Sequence, residues 1–203
     1  GVINMKAPII LASASDIRSQ LLRNADIEHE VIPASIDEQM IKASLASEGT
    51  NPRDIAEALA EQKAKKISLK YPNAFVIGSD QVLDFHGQAC SKSLSPECLV
   101  EFLVKISGKD HRLYSAAVIY QGARPIWRHI GKVTLAMREL SQDYINKYVS
   151  SEWENVKHCV GGYKIEEEGC RLFSKINGDY FSILGMPIIE IINFLCIRGV
   201  IDG

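Results

Sequence analysis

The sequence lacks an excess of charge of one sign. Its 23 lysines and arginines are balanced by 25 aspartates and glutamates, which leaves a formal net charge of -2 over 203 residues. Proteins that bind nucleic acid across a whole face carry a clear basic excess. The balance therefore argues against nucleic acid as a partner, while it leaves room for a local cluster of cations around a small anion.

Long apolar runs are also missing. The most apolar stretch, residues 188–197, contains Glu190 and Asn193 and is shorter than the roughly 20 apolar residues of a membrane-spanning helix. The apolar residues ahead of 12–15 are too few for the hydrophobic region of a signal peptide, which needs about 7. We therefore expect no membrane segment and no signal peptide, and we expect a cytoplasmic protein.

Three missing motifs narrow the chemistry. The five cysteines are odd in number and include no C-x-x-C pair, so we expect reduced, mostly buried thiols rather than disulfides or a zinc site. No G-x-x-x-x-G-K-[ST] motif occurs, which excludes a P-loop. No G-x-S-x-G motif occurs either, which excludes the nucleophile elbow of a serine hydrolase.

The apolar pattern predicts one α/β domain over residues 1–203, a length that suits a single domain with an internal cleft. Strand-like and helix-like segments are interspersed, and two neighbouring strands joined by a short turn indicate a mixed rather than a parallel sheet. In the first helix we expect Ile17, Leu21 and Leu22 to face the core. The strands are predicted at 8–12, 31–32, 74–77, 112–120 and 127–137, and the helices at 16–24, 52–70, 96–108, 141–149 and 187–197.

Two hydroxyls and an arginine lie where the first strand meets the first helix. Ser13 and Ser15 precede the helix, and Arg18 lies in its first turn. The free N–H groups and positive dipole end of a helix N-terminus favour phosphate, and an arginine strengthens such a site. The alternative is that Ser15 is only a helix cap and Arg18 a solvated residue.

Carboxylates also follow predicted strands. Asp37 and Glu38 come after the short second strand, and Asp80 closes the most apolar strand of the chain. Converging carboxylates suit Mg²⁺, which takes one or two of them together with substrate phosphates and waters. The alternatives are an N-cap for Asp37 and a turn role for Asp80.

Two lysines complete the set. Lys63 lies four residues after Leu59 on the helix face that we expect to point inward, and Lys92 follows a glycine-containing turn in a serine-rich loop. Each alone is typical of a protein surface. Together with the acids and the hydroxyl–arginine group, they supply the charge neutralisation and activated water that hydrolysis of a polyphosphate requires.

These residues fall within segments that resemble the Maf family of nucleoside triphosphate pyrophosphatases. The resemblance covers nearly the whole chain in order. It is carried by LASASDIR at 11–18, Asp37-Glu38, LAEQKA at 59–64, GSDQV at 78–82, Ser107-Gly108, GDY at 178–180 and GMP at 185–187.

The resemblance implies an α/β fold similar to Maf and ITPase proteins, with an elongated mixed sheet, flanking helices and two lobes around a central cleft. It implies cleavage of a nucleoside triphosphate to the monophosphate and pyrophosphate with Mg²⁺ or another divalent cation such as Mn²⁺, and it suggests a homodimer. Asp80 is then the proton acceptor and a metal ligand, and Glu38 a second metal ligand. The expected phosphate ligands are Ser13, Ser15, Arg18, Lys63 and Lys92, the two lysines counted as catalytic.

Three positions at which subgroups of the family differ predict which nucleotide base the protein prefers. The chain has Ile17, Gln81 and Glu166 there. In the family, members that prefer dTTP and UTP typically carry Arg, Thr and Gln at these positions. Members that act on 7-methyl-GTP typically carry Trp, Gln and Glu. Two of three positions therefore favour the 7-methyl-GTP subgroup. A carboxylate can accept both N1–H and N2–H₂ of guanine, which supports that prediction, although Glu166 could also be a surface acid in a run of three.

The chain departs from the family at the phosphate end. The family usually has Pro and an aromatic residue or Arg where this chain has Asp16 and Ile17, and Gly-Lys-Pro where it has Ser91-Lys92-Ser93. These differences predict weaker nucleotide binding. They motivate a second hypothesis, a nucleotide-binding regulator without turnover, beside a third, a pyrophosphatase of the dTTP and UTP type.

Overall fold

One mixed sheet organises residues 7–203, the part of the chain that the computed structural model describes. Its strands are β1 (Ile9–Leu11), β2 (Glu30–Val31), β3 (Phe75–Phe85), β4 (Gln88–Cys90), β5 (Asp110–Gln121), β6 (Arg124–Met137) and β7 (Phe173–Asn177). The spatial order is β2-β1-β3-β5-β6-β7, with β4 paired to β3. β1 is parallel to β2 and β3, and the longer strands β3, β5, β6 and β7 are antiparallel. The predicted mixed α/β sheet is confirmed.

Helices cover the sheet. They are α1 (Asp16–Asn24), α2 (Glu38–Ser47), α3 (Pro52–Ser68), α4 (Pro96–Ile106), α5 (Gln142–Val156), α6 (Tyr180–Leu184) and α7 (Ile188–Ile197), with a 3-10 turn at Glu168–Leu172. Side-chain caps begin several of them: Asn51 accepts from the Asp54 N–H and Ser95 from the Cys98 N–H. Across residues 7–203, none of these helices combines the length and apolarity that a bilayer crossing requires.

Alternating side chains of the long strands feed three cores. Val76 and Val118 pack under α3, whereas their neighbours Ile77 and Ile119 pack on the opposite face with α1 and α7. Farther along the same strands, Leu83 and Leu113 join a third core with α4 and α5. The core with α1 and α7 thus lies at the start of β3 and the core with α4 and α5 at its end, whereas the core under α3 extends from Val76 to Val82.

Helix α3 lies unusually close to β3. A Cβ on Gly78 would stand 2.0 Å from the Ala60 carbonyl oxygen and 2.7 Å from the Ala64 nitrogen, so only glycine fits at this crossing. Glu61 connects α3 to the neighbouring strands: it accepts from the Tyr120 hydroxyl of β5 at 2.6 Å and pairs with Arg128 of β6 at 3.2 Å. The close crossing at Ala60 and Ala64 therefore brings the neighbouring Lys63 within hydrogen-bond distance of Asp80.

Several expectations were wrong. The strand predicted at 74–77 continues to Phe85, so Asp80 lies within β3 instead of closing it. Helix α5 runs to Val156 rather than to 149. Elements α2, β4, β7 and α6 were not predicted; no residue of α2 is fully buried, and the other three elements have five residues or fewer. Elements so short or so exposed show no clear periodic pattern.

Two burial predictions were also wrong. Leu21 and Leu22 are buried as expected, but Ile17 is 38% exposed because it points to the cleft described below rather than to the core. The cysteines are free, yet none is fully buried: Cys98 and Cys170 are exposed and the other three are half-buried. Cys90, at the end of β4, packs only at the margin of the core of α4 and α5.

We predict that Gly78→Ala lowers the free energy of unfolding by about 3 kcal/mol, because α3 must move off β3 to make room for the methyl group. Urea unfolding monitored by circular dichroism measures this loss. Gly49→Ala is the comparison, since a Cβ there has open space and meets only the cost of a left-handed backbone, about 1–2 kcal/mol. Equal losses in the two variants would contradict the close crossing.

Candidate functional site

A gap in the pairing of β3 opens the main cleft. On one edge β1 pairs with β3 as far as Ile77, and β4 begins to pair at Leu83. Within the described chain, residues 78–82 have no strand on that edge. The cleft at this gap has a volume of about 820 Å³. It brings together all the side chains that the sequence predicted as a site: Ser13, Ser15, Ile17, Arg18, Glu38, Lys63, Asp80, Gln81, Lys92 and Glu166.

The floor of the cleft holds a lysine between two acids. The Nζ atom of Lys63 lies 3.1 Å from Oδ1 of Asp80 and 2.7 Å from Oε1 of Glu38. It also donates to the Ser79 carbonyl at 3.3 Å. These three acceptors match the three N–H donors of an ammonium group. Lys63 and Asp80 are buried, whereas the side chain of Glu38 is about half exposed at the start of α2.

Burial and charge act differently on the two acids. Burial raises the pKa of Asp80 above its usual value, although the positive charges of Lys63 and Arg18 oppose the rise. Burial also acts to raise the pKa of Glu38, but the hydrogen bond and charge of Lys63, with Lys92 and Arg18, lower it overall. Asp80 is therefore the more basic carboxylate, and Glu38 the more firmly ionised one.

The N-terminus of α1 forms the adjoining wall. Ser15 occupies the N-cap position but makes no side-chain cap bond, so the simple capping alternative does not describe its hydroxyl. The Ser13 oxygen accepts from the Ser15 N–H and from Arg18 Nη1, both at 3.2 Å, which leaves the Ser13 O–H to donate elsewhere. Arg18 is buried and donates from Nε to the Gly185 carbonyl at 2.9 Å. The arrangement presents donors, as an anion requires.

Asp37 is the N-cap of α2, as the alternative interpretation of the sequence predicted. Its carboxylate accepts from the Met40 N–H at 3.1 Å and caps α2. The cap places Glu38 in the first turn, where the helix dipole stabilises a carboxylate. Helix α2 therefore turns Glu38 toward Lys63 across the mouth of the cleft.

Gln81 is engaged with α6 on the other face of β3. Its Nε2 lies within 3.0 Å of the carbonyl oxygens of Ser182 and Ile183 and 3.2 Å from the Ser115 hydroxyl. The amide thus links β3 to α6 at the edge of the cleft. A threonine at this position could not span the same distance.

The opposite wall is formed by turns after α5. Glu166 is exposed there, and Lys164 donates to the Asn155 side-chain oxygen at 2.9 Å. Lys92 is exposed between β4 and α4, close enough to Glu38 to lower the pKa of that carboxylate. Glu166, Lys164 and Lys92 all line the cleft.

Sequence reasoning missed several lining residues. They are Gln39 and Lys42 from α2, Arg23 from the second half of α1, Asn155 from the last turn of α5, and His158 from the turn that follows it. In the sequence, only the possible N-cap at Asp37 indicated a helix at the position of α2. Nothing in the local sequence distinguishes the other residues from ordinary surface side chains.

The acids suit a metal only with help from a ligand. Within residues 7–203, no group of three or more His, Cys, Asp or Glu side chains is placed to hold a metal ion. Glu38 and Asp80 nevertheless converge on a single cation, the Lys63 ammonium. Two carboxylates fit a hard divalent ion whose remaining ligands are phosphate oxygens and waters.

Comparisons with known proteins identify the family of this chain. The family profile described as Maf-like protein matches residues 8–197. A nucleoside triphosphate pyrophosphatase of Ruegeria pomeroyi is 54% identical over 198 residues, 98% of this chain and 100% of the relative. A second protein of that name, from Ruegeria sp. TM1040, is 48% identical over the same shares. A 7-methyl-GTP pyrophosphatase of Mesorhizobium japonicum is 39% identical over 98% of this chain and 100% of its own length. With these relatives and a profile that spans both walls of the cleft, the chain belongs to the Maf family.

Proposed function

We propose that this protein hydrolyses a nucleoside triphosphate to the monophosphate and pyrophosphate, with 7-methyl-GTP as the preferred substrate. The observation that carries the proposal is the buried Lys63 ammonium between Asp80 and Glu38, beside the N-terminus of α1. The names of the relatives support the same reaction class. The reaction forms a bond from water oxygen to the α-phosphorus and breaks the bond from that phosphorus to the bridging oxygen of pyrophosphate.

Asp80 accepts the proton of the attacking water. Its pKa is raised by burial, which makes it a stronger base than an exposed aspartate. Lys63 keeps the carboxylate oriented and favours its ionised form before the reaction. Lys63 thus serves mainly to hold Asp80 and Glu38 in place, because its ammonium group already contacts three protein oxygens.

Glu38 and Asp80 would hold Mg²⁺ or Mn²⁺ with the substrate phosphates. The bound cation would supply neutralisation of phosphate charge. Glu38 suits this role because Lys63, Lys92 and Arg18 lower its pKa and keep it ionised. The two acids belong to different elements, α2 and β3, so they form one site only when α2 lies against α3.

The phosphates bind at the wall formed by α1. Ser13, Ser15 and Arg18 offer hydroxyl and guanidinium donors next to the N–H groups of the first helical turn. Lys92 faces them from the loop after β4. These donors are aimed before the substrate arrives, which strengthens their interaction with a developing charge.

Glu166 selects the base. Its carboxylate accepts the N1–H and N2–H₂ donors of guanine, and its charge favours the positive ring of a 7-methylated base. Gln81 holds α6 in place through its amide, and Ile17 packs against the ring with an apolar surface in place of an aromatic one. The competing assignments are an inactive nucleotide-binding regulator and a pyrophosphatase that prefers dTTP or UTP.

We predict pyrophosphate release from 7-methyl-GTP in the presence of Mg²⁺, at least about tenfold faster than from dTTP, UTP or GTP at limiting concentration. Chelation of the metal should abolish it. Coupled detection of pyrophosphate and chromatography of the nucleotide measure both products. Orthophosphate as the only inorganic product would refute the reaction, faster release from dTTP would refute the base assignment, and tight binding without product would identify a regulator.

We predict that Asp80→Asn lowers kcat by about 1000-fold, because the amide cannot accept the proton of water. Asp84→Asn is the matched control on the same strand, since Asp84 is also buried but serves the β3–β4 hairpin by accepting from the Gly87 N–H at 2.7 Å. Steady-state pyrophosphate release is measured for both folded variants. A fully active Asp80→Asn protein would contradict the assigned role.

We predict that Glu166→Gln lowers kcat/KM for 7-methyl-GTP by about tenfold or more while that for dTTP does not fall, because a neutral amide is a poorer partner for two donors on a charged base. Glu168→Gln is the control, because Glu168 belongs to the same acidic run but does not line the cleft. Equal effects of the two substitutions would show that Glu166 is an ordinary surface acid.

A further inference from the structure

The wall that carries Glu166 is neither helix nor strand. Residues 157–167, here called the selector segment, form successive turns between α5 and the 3-10 turn. The Cys159 N–H donates to the Val156 carbonyl and the Gly162 N–H to the Cys159 carbonyl. Such turns do not by themselves fix where Lys164 and Glu166 stand relative to the sheet, so contacts with the rest of the protein must do so.

One tyrosine fastens the selector segment to β5. The Tyr163 hydroxyl lies 2.8 Å from Nε2 of His111, and the two residues are 6% and 1% exposed. Both rings pack on Phe173, with centroid distances of 4.8 Å for Tyr163 and 5.8 Å for His111. The pair therefore lies inside the apolar core beneath the cleft wall.

A second tyrosine holds the preceding residue. The Tyr148 hydroxyl on α5 donates to the Gly162 carbonyl at 2.8 Å. Gly162 has φ of +69°, and a Cβ there would lie 2.3 Å from Leu99 Cδ1, so glycine allows the chain to turn tightly against α4. The turn aims the Tyr163 ring into the core while the next residues return to the cleft.

The His111–Tyr163 bond is costly for a purely structural contact. The other ring nitrogen, Nδ1 of His111, is buried without a hydrogen-bond partner among the described residues. An unpaired buried polar atom opposes folding by about 1–3 kcal/mol, whereas an apolar pair of similar shape would avoid that cost. Burial lowers the pKa of His111 to about 4 despite the opposing charge of Asp110, so the imidazole stays neutral. The hydrogen bond therefore contributes more to the orientation of Tyr163 than to the stability of the fold.

We propose that His111 is a positioning residue for base selection: through its hydrogen bond to Tyr163 it fixes the selector segment and so the location of Glu166 and Lys164 in the cleft. This inference rests on the proposed function. His111 does not touch the cleft itself, whereas Tyr163, Lys164 and Glu166 all line it. Errors of about 1 Å in a recognition group are enough to change binding strongly.

The experiment is a double-mutant cycle on the full chain with His111→Leu, Tyr163→Phe and the double variant. Rates of pyrophosphate release and calorimetric dissociation constants are measured for 7-methyl-GTP and dTTP. We expect each single variant to raise KM for 7-methyl-GTP about tenfold and to reduce its preference over dTTP by a similar factor, with kcat within about twofold. The double variant should be no worse than either single one, and His111→Gln, which keeps a polar group near the Nε2 position, should restore most of the preference.

Tyr144→Phe is the matched control. It removes a buried hydroxyl that has no partner among the described residues, from a tyrosine on α5 that stacks on Tyr148. It should leave KM and the preference unchanged. Amide hydrogen exchange shows which segment is loosened: in Tyr163→Phe, amides of the selector segment should exchange faster, whereas those of β3 and β5 should not.

The outcomes separate the two proposals. If the wild-type protein releases no pyrophosphate, the proposed function fails, and the ratio of dissociation constants still tests the positioning role. Additive effects in the cycle, a fall in kcat with KM unchanged, or an unchanged preference in Tyr163→Phe would overturn the role of His111. Should His111→Leu not fold, Tyr163→Phe, which removes only one oxygen atom, decides the question alone.

Discussion

The buried contact between Lys63 and Asp80 is the interaction on which the site depends. Taking an ammonium and a carboxylate out of water is costly, and their attraction compensates only when the remaining donors find partners. Lys63 meets that condition through Glu38 and the Ser79 carbonyl. The contact also requires α3 to lie directly on β3, which Gly78 permits. A cluster of this kind adds little to stability, so its value to the protein lies in the charges that it holds in place.

Strand order explains why the other groups meet this contact. β1 ends beside Ile77 and α1 begins five residues after Leu11, so the helix N-terminus faces the unpaired part of β3. β4 closes the same edge from Leu83 onward. The edge of a sheet that is covered on both sides of a gap forms a cleft. Ser15 and Glu38 reach this cleft from the starts of α1 and α2, whereas Lys63 and Asp80 reach it from the middle of α3 and of β3.

Sequence reasoning was strongest where the signal is local and periodic. The bounds of α1 were predicted as observed, and the inward face of α3 placed Lys63 correctly beside Leu59. It failed where tertiary pairing decides: β3 extends through Gly78 and Asp80 because β5 pairs with it from Val76 to Asp84, which no local pattern reveals. Helix α2 escaped notice because none of its residues is fully buried, and the His111–Tyr163 bond joins residues 52 positions apart. The family resemblance supplied the residue set, whereas only the structure revealed the contacts among its members.

The distribution of charge within the cleft explains how a chain with a net charge of only -2 can bind an anion. Lys63 and Arg18 lie beside Asp80 and Glu38, so the buried charges largely compensate one another. The remaining charged side chains of the lining are mostly cationic: Arg23, Lys42, Lys92 and Lys164 against Asp16 and Glu166. Such a small surplus suits an anion the size of a triphosphate, whose charge is satisfied over a few ångströms, whereas a nucleic acid needs a basic face along its length. A nearly neutral chain can therefore bind a highly charged small molecule, because the field that matters is set within the cleft and falls off within about 10 Å outside it.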